Sequence, residues 1–87
     1  MNPTQRKAKI RYRSRRGMLE LDVLLERFLT AKLDDMSATE LDVLEQLLEQ
    51  NDPDLYAWLM GYETASKKEL ADFVVLIRSY HHDTSLS

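Results

Sequence analysis

An all-α fold, a bundle of five short helices, is what this sequence predicts, and three observations carry the expectation. Only Gly17, Gly61, Pro3 and Pro53 interrupt 87 residues rich in Leu, Glu, Ala and Lys, which are strong helix formers. Apolar residues recur at three-four spacing, and no stretch alternates as a strand does. Helix-start signatures follow one another closely, leaving connections of about two to six residues, as in antiparallel bundles.

The first helix is read from Gln5 to Arg16, with Ile10 and Tyr12 as its apolar anchors and Gly17 where a left-handed C-cap residue is expected. The second runs from Met18 to Asp34. Its Met18, Leu21, Leu25, Phe28, Leu29 and Leu33 form a buried stripe, which makes it the expected centre of the core. "SATE" at residues 37–40 is a capping box, Ser37 accepting from the Glu40 amide while Glu40 reaches back, so a third helix runs from there to Gln50. It buries Leu41, Leu44, Leu47 and Leu48. "NDPD" at residues 51–54 opens a fourth, with Asp52 as the cap and Pro53 at the first helical position, and this helix ends at Gly61. Leu55, Trp58 and Leu59 share its inward face, which leaves Tyr56 and Met60 free for a partner. "SKKE" at residues 66–69 is a further capping box and opens a fifth helix with the stripe Leu70, Phe73, Val74, Ile77 and Tyr80. Beyond His82 the polar tail is expected to fray. The whole, residues 1–87, reads as a single helical domain with its core at about residues 6–80 and flexible termini.

Net charge is −3, but its distribution is uneven. Residues 1–16 hold seven basic side chains and no acid, whereas residues 17–87 hold five basic and fifteen acidic ones, a balance of −10. Such a basic arm suits nucleic acid, an acidic protein or the chain's own body. The acidic body would repel a duplex lying across it, so nucleic acid is not expected as a partner. With no cysteine there is no disulfide and no thiolate metal site. No apolar run approaches the roughly 20 residues needed to span a bilayer, so a cytoplasmic protein without membrane insertion is expected.

Catalytic chemistry finds little purchase here. His81 and His82 are adjacent, and helical neighbours point about 100 degrees apart, so they do not share one metal ion. No glycine-rich phosphate loop or dinucleotide fingerprint occurs, and nothing in the spacing of the carboxylates selects an acid-base pair.

The segment that stands out is "SRRGMLELD", residues 14–22, where the charge changes sign across Gly17. Gly17 permits a sharp turn and close approach by a partner's backbone. Arg16 offers a planar charged fork, and Glu20, one turn into the next helix, an acceptor. From spacing alone the same residues are better accounted for as a helix cap and a dipole-complementing acid.

"RRGMLELD" followed by "LLEQNDPDLYAWLM" resembles the SdhE (YgfY) family, the FAD assembly factors of succinate dehydrogenase, which are related to the mitochondrial assembly factor. The similarity covers residues 6–80, and the family's RGxxE motif falls on Arg16, Gly17 and Glu20. The resemblance implies a five-helix bundle that is not itself an enzyme and holds no cofactor stably. It implies binding to the flavoprotein subunit of succinate dehydrogenase, and in some bacteria of fumarate reductase, promoting covalent attachment of FAD to that partner. Arg16, Gly17 and Glu20 would then lie on the binding face, with Arg15, Tyr56 and Met60 as further candidate contacts. Replacing Arg16 or Glu20 by Ala is expected to weaken binding with little change in melting temperature. The alternative reading is an antitoxin-like or nucleic-acid-binding regulator acting through the basic first helix.

Overall fold

The computed structural model describes the backbone of residues 2–85 and the side chains of residues 2–80. The His81-His82 pair lies outside the described side chains, and the backbone expected to fray beyond His82 is helical to Ser85. Five α-helices follow in order: α1 (Pro3–Arg13), α2 (Leu19–Lys32), α3 (Ala38–Leu48), α4 (Asp52–Leu59) and α5 (Lys68–Ser85), with one 3-10 turn, Leu33–Asp35, prolonging α2. The radius of gyration, 12.2 Å, is that of a tightly packed chain of this length, for which about 12 Å is expected.

The ends of the helices follow local chemistry more closely than the hydrophobic stripes do. α1 starts two residues earlier than expected because Asn2 and Gln5 form a capping box: the Asn2 side chain accepts from the Gln5 amide at 2.8 Å, and Gln5 accepts from the Asn2 amide at 3.3 Å. It also ends three residues earlier, at Arg13, where Ser14 takes over as C-cap, its amide donating to the Ile10 carbonyl and its hydroxyl to that of Arg11. Gly17 is therefore not the cap of α1 but part of a five-residue connection, residues 14–18, with φ at +78°. The Ser37 capping box forms as expected, and α3 closes at Leu48 rather than Gln50. In α4 the cap is Asn51, whose side chain accepts from Asp54 N at 2.9 Å, not Asp52. α5 starts at Lys68, with the Lys67 carbonyl accepting from Ala71, so Ser66 stands one residue ahead of the cap position the sequence suggested for it.

Gly61 does what its type predicts. With φ at +83° it follows the C-cap Met60, its own amide donates to Trp58 O at 3.1 Å, and Tyr62 N donates to Ala57 O at 2.8 Å. This is a Schellman turn, and it redirects the chain so that Tyr62 lies beside α4.

α2 supplies Leu21, Leu24, Leu25, Phe28 and Leu29 to the core, and the 3-10 turn adds Leu33. Yet α5 is the hub, since it packs on α2, α3 and α4, whereas α1 rests mainly on α3. Phe28 meets Phe73 and Tyr80 of α5 edge-on, with ring centroids 5.5 and 5.4 Å apart. Leu41, Leu44, Leu47 and Leu48 of α3 and Leu55 and Leu59 of α4 close the interior. Trp58 and Met18, expected inside, are half-buried against its edge. Tyr12, expected as an anchor of α1, is instead 80% exposed, which leaves Ile10 as the buried apolar residue of that helix.

Candidate functional site

The connection between α1 and α2 is where the sequence placed its motif, and the backbone there is fixed by an acid the motif does not name. Asp22, in the first turns of α2, turns its carboxylate back: Oδ1 accepts from the Arg16 amide at 2.8 Å and Oδ2 from the Gly17 amide at 3.2 Å. α2 has no side-chain bond at its N-cap Met18, so this pair of charged hydrogen bonds performs the anchoring that a cap normally provides. The acids of the first turn, Glu20 and Asp22, also complement the positive end of the helix. Gly17 is exposed, and a Cβ built on it meets nothing within 4 Å. Its glycine identity follows from the positive φ rather than from crowding within the chain.

Arg16 does not offer its fork to solvent. The side chain is only 15% exposed, and its guanidinium is spent on the α3–α4 corner. Nη1 donates to Gln50 O at 3.3 Å and Asp52 Oδ1 at 3.2 Å, and Nη2 donates to Leu48 O. Leu48 and Gln50 lie at the end of α3, where helical carbonyls lack intrahelical partners. Arg16 thus caps α3 from a distance of more than thirty residues in sequence and pairs with the first turn of α4. This geometry argues against the expectation that Arg16→Ala would spare the melting temperature.

Glu20 points elsewhere. It is exposed, and among the described residues no hydrogen bond or ion pair joins it to Arg16, so the two-signed polar patch expected from RGxxE is not formed. Its partner is Tyr56 of α4, whose hydroxyl donates to Glu20 Oε2 at 3.5 Å. The carboxylate's negative charge, with partial burial of the ring second, raises the Tyr56 phenol above its ordinary value. Met18, Leu19, Glu20 and Tyr56 line one shallow hollow, and Leu19 stands 78% exposed at its edge. The Schellman turn brings Tyr62, 73% exposed, to 6.1 Å from the Tyr56 ring. The result is an open face with an acid, two tyrosines and an unpartnered leucine, a composition suited to protein contact.

The remaining candidates fall at its margins. Met60 is half-buried against the core and Tyr56 half-buried against Glu20, so neither is as free as the sequence suggested. Arg15 is exposed but faces a different hollow, lined by Arg11, Ser14, Asp22, Glu26 and Leu29. Sequence reasoning missed Asp22, Leu19, Asp52 and Tyr62 as parts of the site. Asp22 had a signal, an acid in the first turns of a helix that lacks a capping side chain, and Leu19 lies off the buried stripe; Tyr62 and Asp52 are placed by tertiary structure alone. Among the described residues no group of His, Asp and Glu is placed to hold a metal ion, and no helix is long and apolar enough to cross a membrane.

Residues 8–81 match the family model described as "Flavinator of succinate dehydrogenase". The chain is 45% identical over 73 residues to an FAD assembly factor SdhE of Legionella pneumophila (strain Paris), covering 84% of this chain and 91% of that one. It is 45% identical over 74 residues to the protein of the same name from Coxiella burnetii, covering 85% and 90%. A solution structure of a UPF0350 protein superposes with a TM-score of 0.78 at 38% identity, covering 97% of this chain and 89% of that one. The arrangement in which Arg16 and Asp22 brace a turn that exposes Gly17 and Glu20 thus sits within the matched region, and the chain belongs to the succinate dehydrogenase flavinator family.

Proposed function

We propose that this chain is a maturation factor that binds the flavoprotein subunit of succinate dehydrogenase, and of fumarate reductase where present, and promotes covalent attachment of FAD to it. The observation that carries the reading is the family match across residues 8–81, which includes the braced turn and the tyrosine face. In this reading the chemistry belongs to the flavoprotein and its FAD. The chain holds no flavin stably, is not the catalyst, and acts in the cytoplasm by holding its client in a form competent for attachment.

In this reading the motif residues divide the labour. Gly17, Leu19, Glu20, Tyr56 and Tyr62 are the contact face, with Met60 at its rim, while Arg15 lines a separate hollow. Arg16 is a positioning residue: it sets the turn that presents Gly17 and Glu20, and its guanidinium meets the chain's own carbonyls rather than the client. A side chain at position 17 would intrude on an approaching backbone, and loss of the Glu20 charge would remove an acceptor from the centre of the face.

The test is in-gel flavin fluorescence of the flavoprotein subunit from cells lacking this gene. Fluorescence should fall sharply, return with the wild-type chain, and return poorly with Glu20→Ala. Undiminished fluorescence in a strain with no second factor of this family would refute the proposal. The family match favours this reading over an antitoxin-like or nucleic-acid-binding regulator.

A further inference from the structure

α1 carries its positive charge on two faces, and the bundle uses only one of them. Arg6, Lys7, Ile10 and Ser14 turn inward. Arg6 pairs with Asp42 and Glu45 of α3, Lys7 pairs with Asp34 at 3.5 Å, and Ile10 is fully buried. The opposite face, Lys9, Tyr12 and Arg13 at i, i+3 and i+4, is exposed, with Arg11 and Arg15 exposed on its flanks. Among the described residues, no hydrogen bond or ion pair engages the side chains of Lys9, Arg11, Tyr12, Arg13 or Arg15. Three cations and one bare ring therefore crowd the last five residues of α1, and Arg15 follows just beyond its end.

We infer that the outer face of α1, Lys9, Tyr12 and Arg13 with Arg11 and Arg15 beside them, is a second docking surface that takes an acidic segment of a protein partner. The inference rests on the proposed function, in that the partner is the flavoprotein subunit. Its ground is charge. The inward cations are neutralised by Asp34, Asp42 and Glu45, so those that remain are a net positive surface on an otherwise acidic body. Arginine forks pair with carboxylates in two-point contact, and a Tyr ring flanked by cations supplies apolar area with little rotamer freedom to lose. A nucleic-acid backbone fits less well. The strip is short, and Asp22 and Glu26 of α2 line a hollow with Arg11 and Arg15 at its end, where a continuing phosphate chain would meet like charge. A discrete acidic segment ends where the strip ends. The separation of a basic arm from a body of −10 also orients the chain as it approaches, so the effect belongs chiefly to the association rate.

Stopped-flow or biolayer measurement of the full chain binding purified succinate dehydrogenase flavoprotein subunit, at low and at physiological salt, tests this. Lys9→Glu/Arg13→Glu should slow association about tenfold at low salt, with the difference shrinking as salt rises, and Lys9→Gln/Arg13→Gln should fall between it and wild type. Tyr12→Ala should mainly speed dissociation. All three variants alter exposed positions, and a melting temperature matching wild type confirms their fold. Wild-type association rates and salt dependence in both charge variants, while Glu20→Ala still loses binding, would overturn the second surface and leave the proposed function standing. A wild-type chain that does not bind the flavoprotein overturns both. Tighter binding to a 20-mer single-stranded DNA or RNA probe than to the flavoprotein, lost in Lys9→Glu/Arg13→Glu, would overturn the assignment to a protein partner.

Discussion

Arg16→Met removes the guanidinium while keeping an apolar stem, and the structure gives the magnitude. The lost donors serve the Leu48 and Gln50 carbonyls and the Asp52 carboxylate. A hydrogen bond from a charged group to a part-buried carbonyl contributes about 1.5–3 kcal/mol. The pairing with Asp52, whose side chain is 43% exposed, is worth at most about 1 kcal/mol in water-screened surroundings. Against these stands the buried Nε, which has no partner and whose desolvation is relieved on removal. The balance is a loss of about 2–3 kcal/mol, a large share of the 5–15 kcal/mol typical of a domain. For a chain of this size each kcal/mol lowers the melting temperature by about 4–8 °C, so a fall of about 10–20 °C is expected. Arg16→Lys, which keeps the charge but not the fork, should lose about half as much. Far-UV circular dichroism on heating, with a urea titration of unchanged slope, makes the measurement. A fall below about 3 °C for Arg16→Met would show that the guanidinium contributes nothing net to the fold, and would return Arg16 to the contact face. Binding per folded molecule, measured well below the variant's transition, should fall less than in Glu20→Ala, because Arg16 positions the turn without touching the client.

Asp22→Ala strips the acceptor from the Arg16 and Gly17 amides and should cost about 2 kcal/mol, read by urea denaturation, with Asp22→Asn intermediate. Gly17→Ala meets no atom but forces a side chain into φ +78°, so a stability loss of about 1 kcal/mol is expected in calorimetry, with a much larger fractional loss of flavoprotein binding. Ultraviolet difference titration at 295 nm should find a tyrosine ionising above the ordinary 10.0, returning toward it in Glu20→Gln. Because the folded value of Tyr56 is the raised one, stability from this contact is fully present below about pH 10 and is lost as pH rises through the folded value. Wild type and Tyr56→Phe should therefore converge in stability only in strong alkali, and binding near neutral pH should show no step from this group.

The fold was legible wherever a local rule acts alone. Three-four spacing marked the faces of α2, α3 and α5, and the Ser37 box and the Gly61 turn formed from residues adjacent in sequence. Boundaries slipped where two local signals compete. Asn2 and Asn51 took the cap positions, while Asp52 became the counter-ion of Arg16 and Pro53 moved to the second helical position. The motif was legible as residues that belong together, but not as a shape. Spacing put Arg16 and Glu20 about one turn apart and suggested a shared patch; the tertiary contacts send one to α3 and α4 and the other to Tyr56.

The sequence by itself determined that the chain is helical, where its leucine stripes lie, and which short segment is special, because helix propensity, periodicity and capping are set within a few residues. Only the tertiary structure decided which side of each charged residue faces inward. Whether an arginine fork is spent on a carbonyl or left for a partner depends on what lies across the turn, more than thirty positions away. A buried guanidinium must find acceptors because its charge cannot be shed, and the open ends of α3 and α4 supply them. That single requirement turns Arg16 into the brace of the site and leaves Gly17 and Glu20 on its surface.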